Sequence, residues 1–249
     1  IINKIVGENR VIVSDIAGTT RDAIDTEVIY NDKEYVFIDT AGLRRKNKIK
    51  EELERFMIIR TVSAVERADV VILVIDAQEG VTEQDAKIAG IAHERGKGVI
   101  IAVNKWDAIE KDDKTSATME KEIRSELLFL QYAPMIFVSA MTKQRVHKLI
   151  DMINFGVEQN NLRISTSVLN EVIRDAMQLN PPPSDKGKRL KIMYATQSGV
   201  KPPTFVLFVN EPEIMHFSYE RFLENKIREN FGFEGTPIRF VVRKRSTEE

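Results

Sequence analysis

Between residues 34 and 141 the chain alternates short, continuously apolar stretches with longer segments of helical period. The apolar stretches are EYVFIDT (34–40), DVVILVIDA (69–77), GVIIAVNK (98–105) and MIFVSAM (135–141). Several are apolar at successive positions rather than alternate ones, as strands covered on both faces are. Helical candidates span about 49–67, 82–96, 114–130 and 143–158. Thr82 can cap the second of these and Gly96 can end it. The rhythm predicts an α/β fold: a mostly parallel sheet with helices on both faces and ligands at the carboxyl ends of its strands. One pair of strands differs. DTEVIYND (25–32) and EYVFIDT are joined by the short turn Asn31–Asp32–Lys33, which predicts an antiparallel hairpin at one edge of the sheet.

Near residue 160 the pattern changes. NNLRIS (160–165) reads as a linker, and the next helix carries Val168, Leu169, Val172, Ile173 and Met177 on one face. NPPPSDKGK (180–188) breaks it. Strands LKIMYATQ (190–197) and TFVLFVN (204–210) follow, then the helix FSYERFLENKIRENF, capped by Ser218 and stopped by Gly232. The last strand, PIRFVVRKR (237–245), puts Ile238, Phe240 and Val242 on one face and Arg239 and Arg243 on the other. This α-β-β-α-β order predicts a small α+β domain whose sheet has one face under its helices. The expected division is residues 1–160 and 165–249.

At 249 residues the chain is long enough for two such domains. Its 37 basic residues nearly cancel its 38 acidic ones, so overall charge announces no nucleic-acid or membrane partner. The absence of cysteine excludes disulfides, thiolate metal sites and a cysteine nucleophile, and fits a reducing cytoplasm. Only three histidines are present, which argues against a histidine-based zinc site. Apolar runs such as VVILVI (70–75) are too short to span a bilayer, and the N-terminus has no signal-peptide pattern.

The candidate chemistry gathers at the strand ends. Asp39-Thr40-Ala41-Gly42 follows one predicted strand, Asn104-Lys105-Trp106-Asp107 another and Ser139-Ala140 a third. An acid after a strand is commonly a helix cap, but three clusters on one edge point to one ligand. Guanine presents donors at N1 and N2, which the carboxylate of Asp107 can accept together. The amide of Asn104 can donate to N7 and the neighbouring carbonyl, the Lys105 stem can lie along the base, and the Ala140 N–H can meet the base oxygen. Adenine would leave buried groups unpaired, at roughly 1–3 kcal/mol each. Asp39 suits a magnesium ion held through water, and Gly42 lets a bare N–H approach the terminal phosphate. The loop SDIAGTTRD (14–22) offers Thr20, or its rival Thr19, as a magnesium ligand in a segment ordered by triphosphate. Gly90 to Gly98 mimics a phosphate loop only faintly: five residues intervene where four are needed, no Ser or Thr follows Lys97, and a strand follows it rather than preceding it.

These motifs resemble the TRAFAC GTPases, and more narrowly the Der/EngA family. DIAGTTRDAIDT, IDTAGLRRK, NKWD and LQYAPMIFVSAMTKQRVHKL resemble its second GTPase domain. MHFSYERFLENKIRENFGFEGTPIRF resembles the KH-like domain that ends it. The resemblance implies a P-loop GTPase-type sheet followed by the KH-like module, acting cytoplasmically in assembly of the large ribosomal subunit beside an N-terminal GTPase domain of the same protein. It implies GTP/GDP and Mg2+ at Asp39, Thr40, Ala41, Gly42, Leu43, Asn104, Lys105, Trp106, Asp107, Ser139, Ala140 and Met141. Thr20 and Gly42 would serve catalysis, and Thr20 and Asp39 the metal.

Two departures qualify this. No G-x-x-x-x-G-K-[ST] occurs, and IINKIVG (1–7) corresponds to the end of the helix that follows that loop in the family. The sequence therefore reads as lacking the first strand and phosphate loop of its domain. Leu43 stands where Ras-like enzymes carry a water-orienting Gln. The resemblance implies K+ instead, held between about Asp15 and Thr20 and by an Asn of the absent loop, with slow hydrolysis. Arg44, Arg45, Lys46, Lys48 and Lys50 after DTAG form a solvated or state-dependent contact segment. Arg239, Arg243, Lys244 and Arg245, with Lys186, Lys188, Arg189 and Lys191, suit ribosomal RNA backbone contacts, since no GXXG lies between helices here. The alternative is a non-hydrolysing RNA- or ribosome-binding scaffold. A tRNA-modification GTPase shares GTTRD but is disfavoured by the absent cysteine and the α-β-β-α-β tail.

Overall fold

The computed structural model describes residues 1–6, 11–13, 25–38, 50–185 and 187–245. Its first part runs α1 (Ile2–Val6), β1 (Val11–Val13), β2 (Asp25–Tyr30), β3 (Lys33–Ile38), α2 (Lys50–Arg67), β4 (Val70–Asp76), α3 (Glu83–Glu94), β5 (Gly98–Asn104), α4 (Thr115–Glu126), β6 (Met135–Phe137) and α5 (Lys148–Asn161). β5 lies between β4 and β6, and both pairings are parallel. Val99, Ile101 and Val103 pack in a core with Ala89 and Ala92 of α3 and Ile123 of α4. Ile100 and Ala102 pack in a second core with Leu149 and Ile150 of α5. Helices on both faces thus explain the unbroken apolar run. Burying each large side chain favours the fold by about 1.5–3 kcal/mol.

Three details differ from the sequence pattern. Among the described residues, β1, β2 and β3 form their own antiparallel sheet rather than an edge of the parallel one. Asn31 (φ 49°) and Asp32 (φ 60°) make a two-residue turn closed by the Tyr30–Lys33 pair, so Lys33 belongs to the strand. β6 stops at Phe137 and α5 starts only at Lys148. Between them Lys143 (φ 63°) and Arg145 (φ 57°) are left-handed, which an α-helix cannot accommodate.

α3 begins and ends as expected. The Thr82 hydroxyl accepts the Asp85 N–H at 3.2 Å, and the Asp85 carboxylate accepts the Thr82 N–H at 3.0 Å. At the other end Gly96 takes φ 71°, and the Lys97 N–H donates to Ala92 O at 3.0 Å. The Gly90–Gly98 segment is therefore a helix terminus followed by a strand.

The second part runs α6 (Thr166–Leu179), β7 (Ser184–Asp185), β8 (Lys188–Arg189), β9 (Ile192–Gly199), β10 (Thr204–Val209), α7 (Phe217–Phe231) and β11 (Arg239–Lys244). β10 pairs antiparallel with β9 and parallel with β11. Leu169, Ile173, Leu223 and Ile227 of the helices pack on Ala195, Phe205, Leu207, Phe240 and Val242 of one sheet face. The short β7–β8 pair begins within the segment read as a helix breaker and ends one residue beyond it. α7 is capped by His216, whose extended backbone (φ −87°, ψ 147°) precedes the first turn; Ser218 lies inside that turn and is not the cap. Asn170 closes the free edge of β9, donating to Ala195 O and accepting the Ala195 N–H, both at 2.8 Å.

The two parts meet at the amino end of β5. The Val99 N–H donates to Gly235 O at 2.7 Å, and the Gly235 N–H donates to Tyr132 O at 2.8 Å. Thr236 Oγ1 donates to Asn160 Oδ1 at 2.7 Å, with both residues buried. The Arg228 guanidinium lies 4.8 Å from the Tyr132 ring centroid. A Cβ placed on Gly96 would stand 2.5 Å from Pro202 Cγ, so the α3 terminus also abuts the second part. Among the described residues no helix is long and apolar enough to cross a membrane.

Candidate nucleotide site

The carboxyl ends of β4, β5 and β6 bring three segments together. Asp76 and Asn104 stand opposite each other in the parallel register, and Ala77 donates its N–H to Asn104 O at 2.9 Å. Beyond Asn104 the chain turns sharply: Lys105 takes φ 61° and ψ 31°, and Trp106–Ala108 form one 3₁₀ turn. The turn is anchored from below. Trp106 is 5% exposed, and its indole packs 4.5 Å from the Phe137 ring between centroids. The Trp106 main-chain N–H donates to Val138 O at 3.1 Å, and its main-chain carbonyl accepts from Lys111 Nζ at 2.6 Å. Trp106 is thus a wedge that holds the turn, with its ring in the core. Asp107, one position on, is left exposed.

The segment after β6 folds over the same edge. The Ala140 N–H donates to Asn104 Oδ1 at 3.0 Å. Ser139 is fully buried: its N–H donates to Gln144 O at 3.1 Å, and its hydroxyl accepts the Thr142 N–H at 3.0 Å. These bonds explain why β6 ends before Ser139, because the backbone turns back on itself rather than continuing the ladder. Met141 follows at 80% exposure.

Lys105 Nζ lies 2.5 Å from Asp76 Oδ2, and the other Asp76 oxygen accepts the Gln78 N–H at 3.0 Å. Asp76 was not among the sequence candidates. The available signal was its place at the end of VVILVID, in register with Asn104.

The structure therefore joins Asn104, Lys105 and Ala140 and adds Asp76, with Asp107 presented beside them. The amide oxygen of Asn104 is held by Ala140, so the NH2 is the part of that amide suited to donate to a base. The Ala140 N–H is turned to Asn104 here, whereas the sequence reading aimed it at the base. Thr20, Asp39, Thr40, Ala41, Gly42 and Leu43 lie outside the described residues, as do Thr19, Arg44, Arg45, Lys46 and Lys48. Among the described residues no group of three or more His, Asp or Glu side chains is placed to hold a metal ion.

Two family models match the chain. Residues 1–105 match the 50S ribosome-binding GTPase model, and residues 163–243 match the model of the KH-domain-like C-terminal domain of EngA bacterial GTPase enzymes. GTPase Der of Lachnoclostridium phytofermentans is 71% identical over 245 residues, covering 98% of this chain and 56% of that protein. GTPase Der of Lachnospira eligens is 67% identical over 249 residues, covering 100% of this chain and 56% of its own length. That of Alkaliphilus metalliredigens is 64% identical over 246 residues, covering 99% and 56%. The chain thus spans little more than half the length of these curated relatives. The strand-end constellation, the KH-like sheet and this similarity across both parts agree: the chain belongs to the Der/EngA family of GTPases.

Proposed function

We propose that this chain binds a guanine nucleotide at the carboxyl edge of β4–β6 and forms part of a GTP-hydrolysing switch in large ribosomal subunit assembly. The observation that carries the reading is the 3.0 Å bond from Ala140 to Asn104, which closes two distant loops around one edge. On this reading Asn104 donates to the base, Lys105 lies along it, and Asp107 accepts from N1 and N2. Trp106, Ser139 and Met141 hold or border the loops. Thr40, Ala41, Gly42 and Leu43 reach the phosphates, Thr20 and Gly42 serve hydrolysis, and Thr20 and Asp39 hold Mg2+. The metal would neutralise phosphate charge.

Because Leu43 cannot orient water by hydrogen bonding, hydrolysis on this reading is slow and rises with K+. The core clusters, two in the first part and one in the second, support a division into a GTPase domain at 1–160 and a KH-like domain at 165–249. The KH-like part contacts ribosomal RNA chiefly through phosphates, in the cytoplasm and beside an N-terminal GTPase domain of the same protein.

The decisive experiment is Asp107→Asn in the complete gene product, titrated with guanine and xanthine nucleotides. Xanthine carries an acceptor at position 2 where guanine carries a donor. Loss of GTP binding with gain of xanthosine triphosphate binding is expected. Unchanged GTP affinity would remove the base assignment, and no nucleotide binding by either protein would leave the scaffold reading.

A further inference from the structure

We infer that the open face of the C-terminal sheet is a stacking platform for single-stranded RNA, centred on Tyr194 and Phe208. The inference rests on the ribosomal-RNA reading above and adds to it a site and a mode of contact.

The helices α6 and α7 cover one face of the β9–β10–β11 sheet, where Phe205, Leu207, Phe240 and Val242 are packed. The register places the intervening residues on the other face. Tyr194 pairs with Phe208, and Phe208 with Arg243. The next row along runs from Thr196 through Val206, which is buried, to Val241, and the one beyond pairs Thr204 with Arg239. Tyr194 and Phe208 stack with ring centroids 4.3 Å apart and planes 14° from parallel. Tyr194 remains 38% exposed and Val241 37% exposed. The Arg245 guanidinium lies 5.6 Å from the Tyr194 ring centroid and Arg243 is exposed on the same face; Arg239 stands there too, with its guanidinium donating to Glu94 O of the first part. None of these residues is acidic.

A sheet face that served only as outer surface would carry polar residues in place of the Tyr194–Phe208 ring pair. Parallel rings beside arginines are instead the pairing that unstacked bases and their phosphates require. Charge complementarity selects the occupant, since an acidic polymer with flat bases uses both the guanidinium groups and the rings. The contact would be tolerant of sequence, because every base has a π face. It is therefore compatible with backbone contacts dominating affinity.

The test uses the complete gene product and a fluorescein-labelled twelve-nucleotide oligoadenylate as probe, titrated at several salt concentrations. The leucine pair Tyr194→Leu with Phe208→Leu keeps apolar bulk but removes the rings. It is expected to weaken binding about tenfold with an unchanged salt slope. Arg243→Gln is expected to lower the salt slope by about one phosphate contact. Thermal unfolding and nucleotide binding should stay at wild-type values in each variant, which separates loss of contact from loss of fold; a variant that unfolds is replaced by Tyr194→Phe with Phe208→Leu, expected to lose binding in part. A leucine variant that binds the oligonucleotide as the wild type does overturns the platform, whether or not it loses a protein partner. If the wild type binds ribosomal particles but not the oligonucleotide, the platform alone falls. If it binds neither, the ribosomal-RNA reading falls with it.

Discussion

Ala140 donates its main-chain N–H to Asn104 Oδ1 across 3.0 Å, although the two residues stand 36 positions apart. This bond fixes which end of the Asn104 amide is turned to protein. It also ties the segment after β6 to the end of β5, so one side chain sets both a donor and a loop position.

Asn104→Asp separates those two roles. The aspartate keeps an acceptor for Ala140 but replaces the amide donors with a carboxylate facing acceptors of the base. Guanine-nucleotide affinity is expected to fall at least about tenfold, near 1.4 kcal/mol. Fold stability should change little. Nucleotide titration beside thermal melting checks both, and an unaltered affinity would count against Asn104 as a base contact.

Asp76 holds Lys105 at 2.5 Å, with the lysine side chain about half exposed. Solvent screening limits the stability effect of Asp76→Asn to under about 1 kcal/mol. Its effect on nucleotide affinity should be larger than that stability loss suggests, because the ion pair aims the lysine stem. In a Lys105→Met background the Asp76→Asn effect on affinity should vanish. A double-mutant cycle in affinity measures this, and full additivity would show that the two residues act independently.

Thr236→Val tests the seam between the two parts. Valine matches threonine in shape but leaves the buried Asn160 Oδ1 without its 2.7 Å donor. A loss of about 1–3 kcal/mol is expected, read as a lower urea midpoint with an unchanged slope. A midpoint within error of wild type would mean that the seam contributes little.

The same seam should respond to pH through His93. Its Nδ1 lies 2.9 Å from the Tyr132 hydroxyl. Burial depresses the histidine below its ordinary value of 6.5, with Glu224 and Glu94 opposing and Arg239 and Arg228 reinforcing the shift. Burial also pushes the Tyr132 phenol upward, so its hydroxyl keeps its proton beside the ring. The folded state therefore favours the unprotonated ring. The contribution is present above the unfolded value near 6.5 and is lost as pH falls through the lower folded value. Urea midpoints measured from neutral to acid pH should show this loss, and His93→Gln should flatten that part of the profile. An unchanged profile in the variant would assign the acid sensitivity to other groups.

Much of the fold was legible because burial on two faces leaves a distinctive mark. The run GVIIAV (98–103) has no polar position because helices lie on both sides of β5. The mixed pattern of PIRFVVRKR separated covered from open faces correctly, with Phe240 and Val242 in the core and Arg239 and Arg243 outside. Boundaries were less legible. Ser218 looks like a cap by residue type, yet the chain turns two residues earlier at His216. The helix expected from 143 starts at Lys148, because backbone left-handedness at Lys143 and Arg145 has no signature in side-chain hydrophobicity.

By itself the sequence determined the order of the main helices and strands, the apolar faces that pack and the residue types at the strand ends, since local period and polarity follow directly from which side chains avoid water. Tertiary structure alone decided that Ala140 binds Asn104, that Asp76 holds Lys105, and that Gly235 and Thr236 dock on Val99, Tyr132 and Asn160. Those pairings depend on distances between residues far apart in the chain. Such distances arise only when the packed elements fix where each backbone turns.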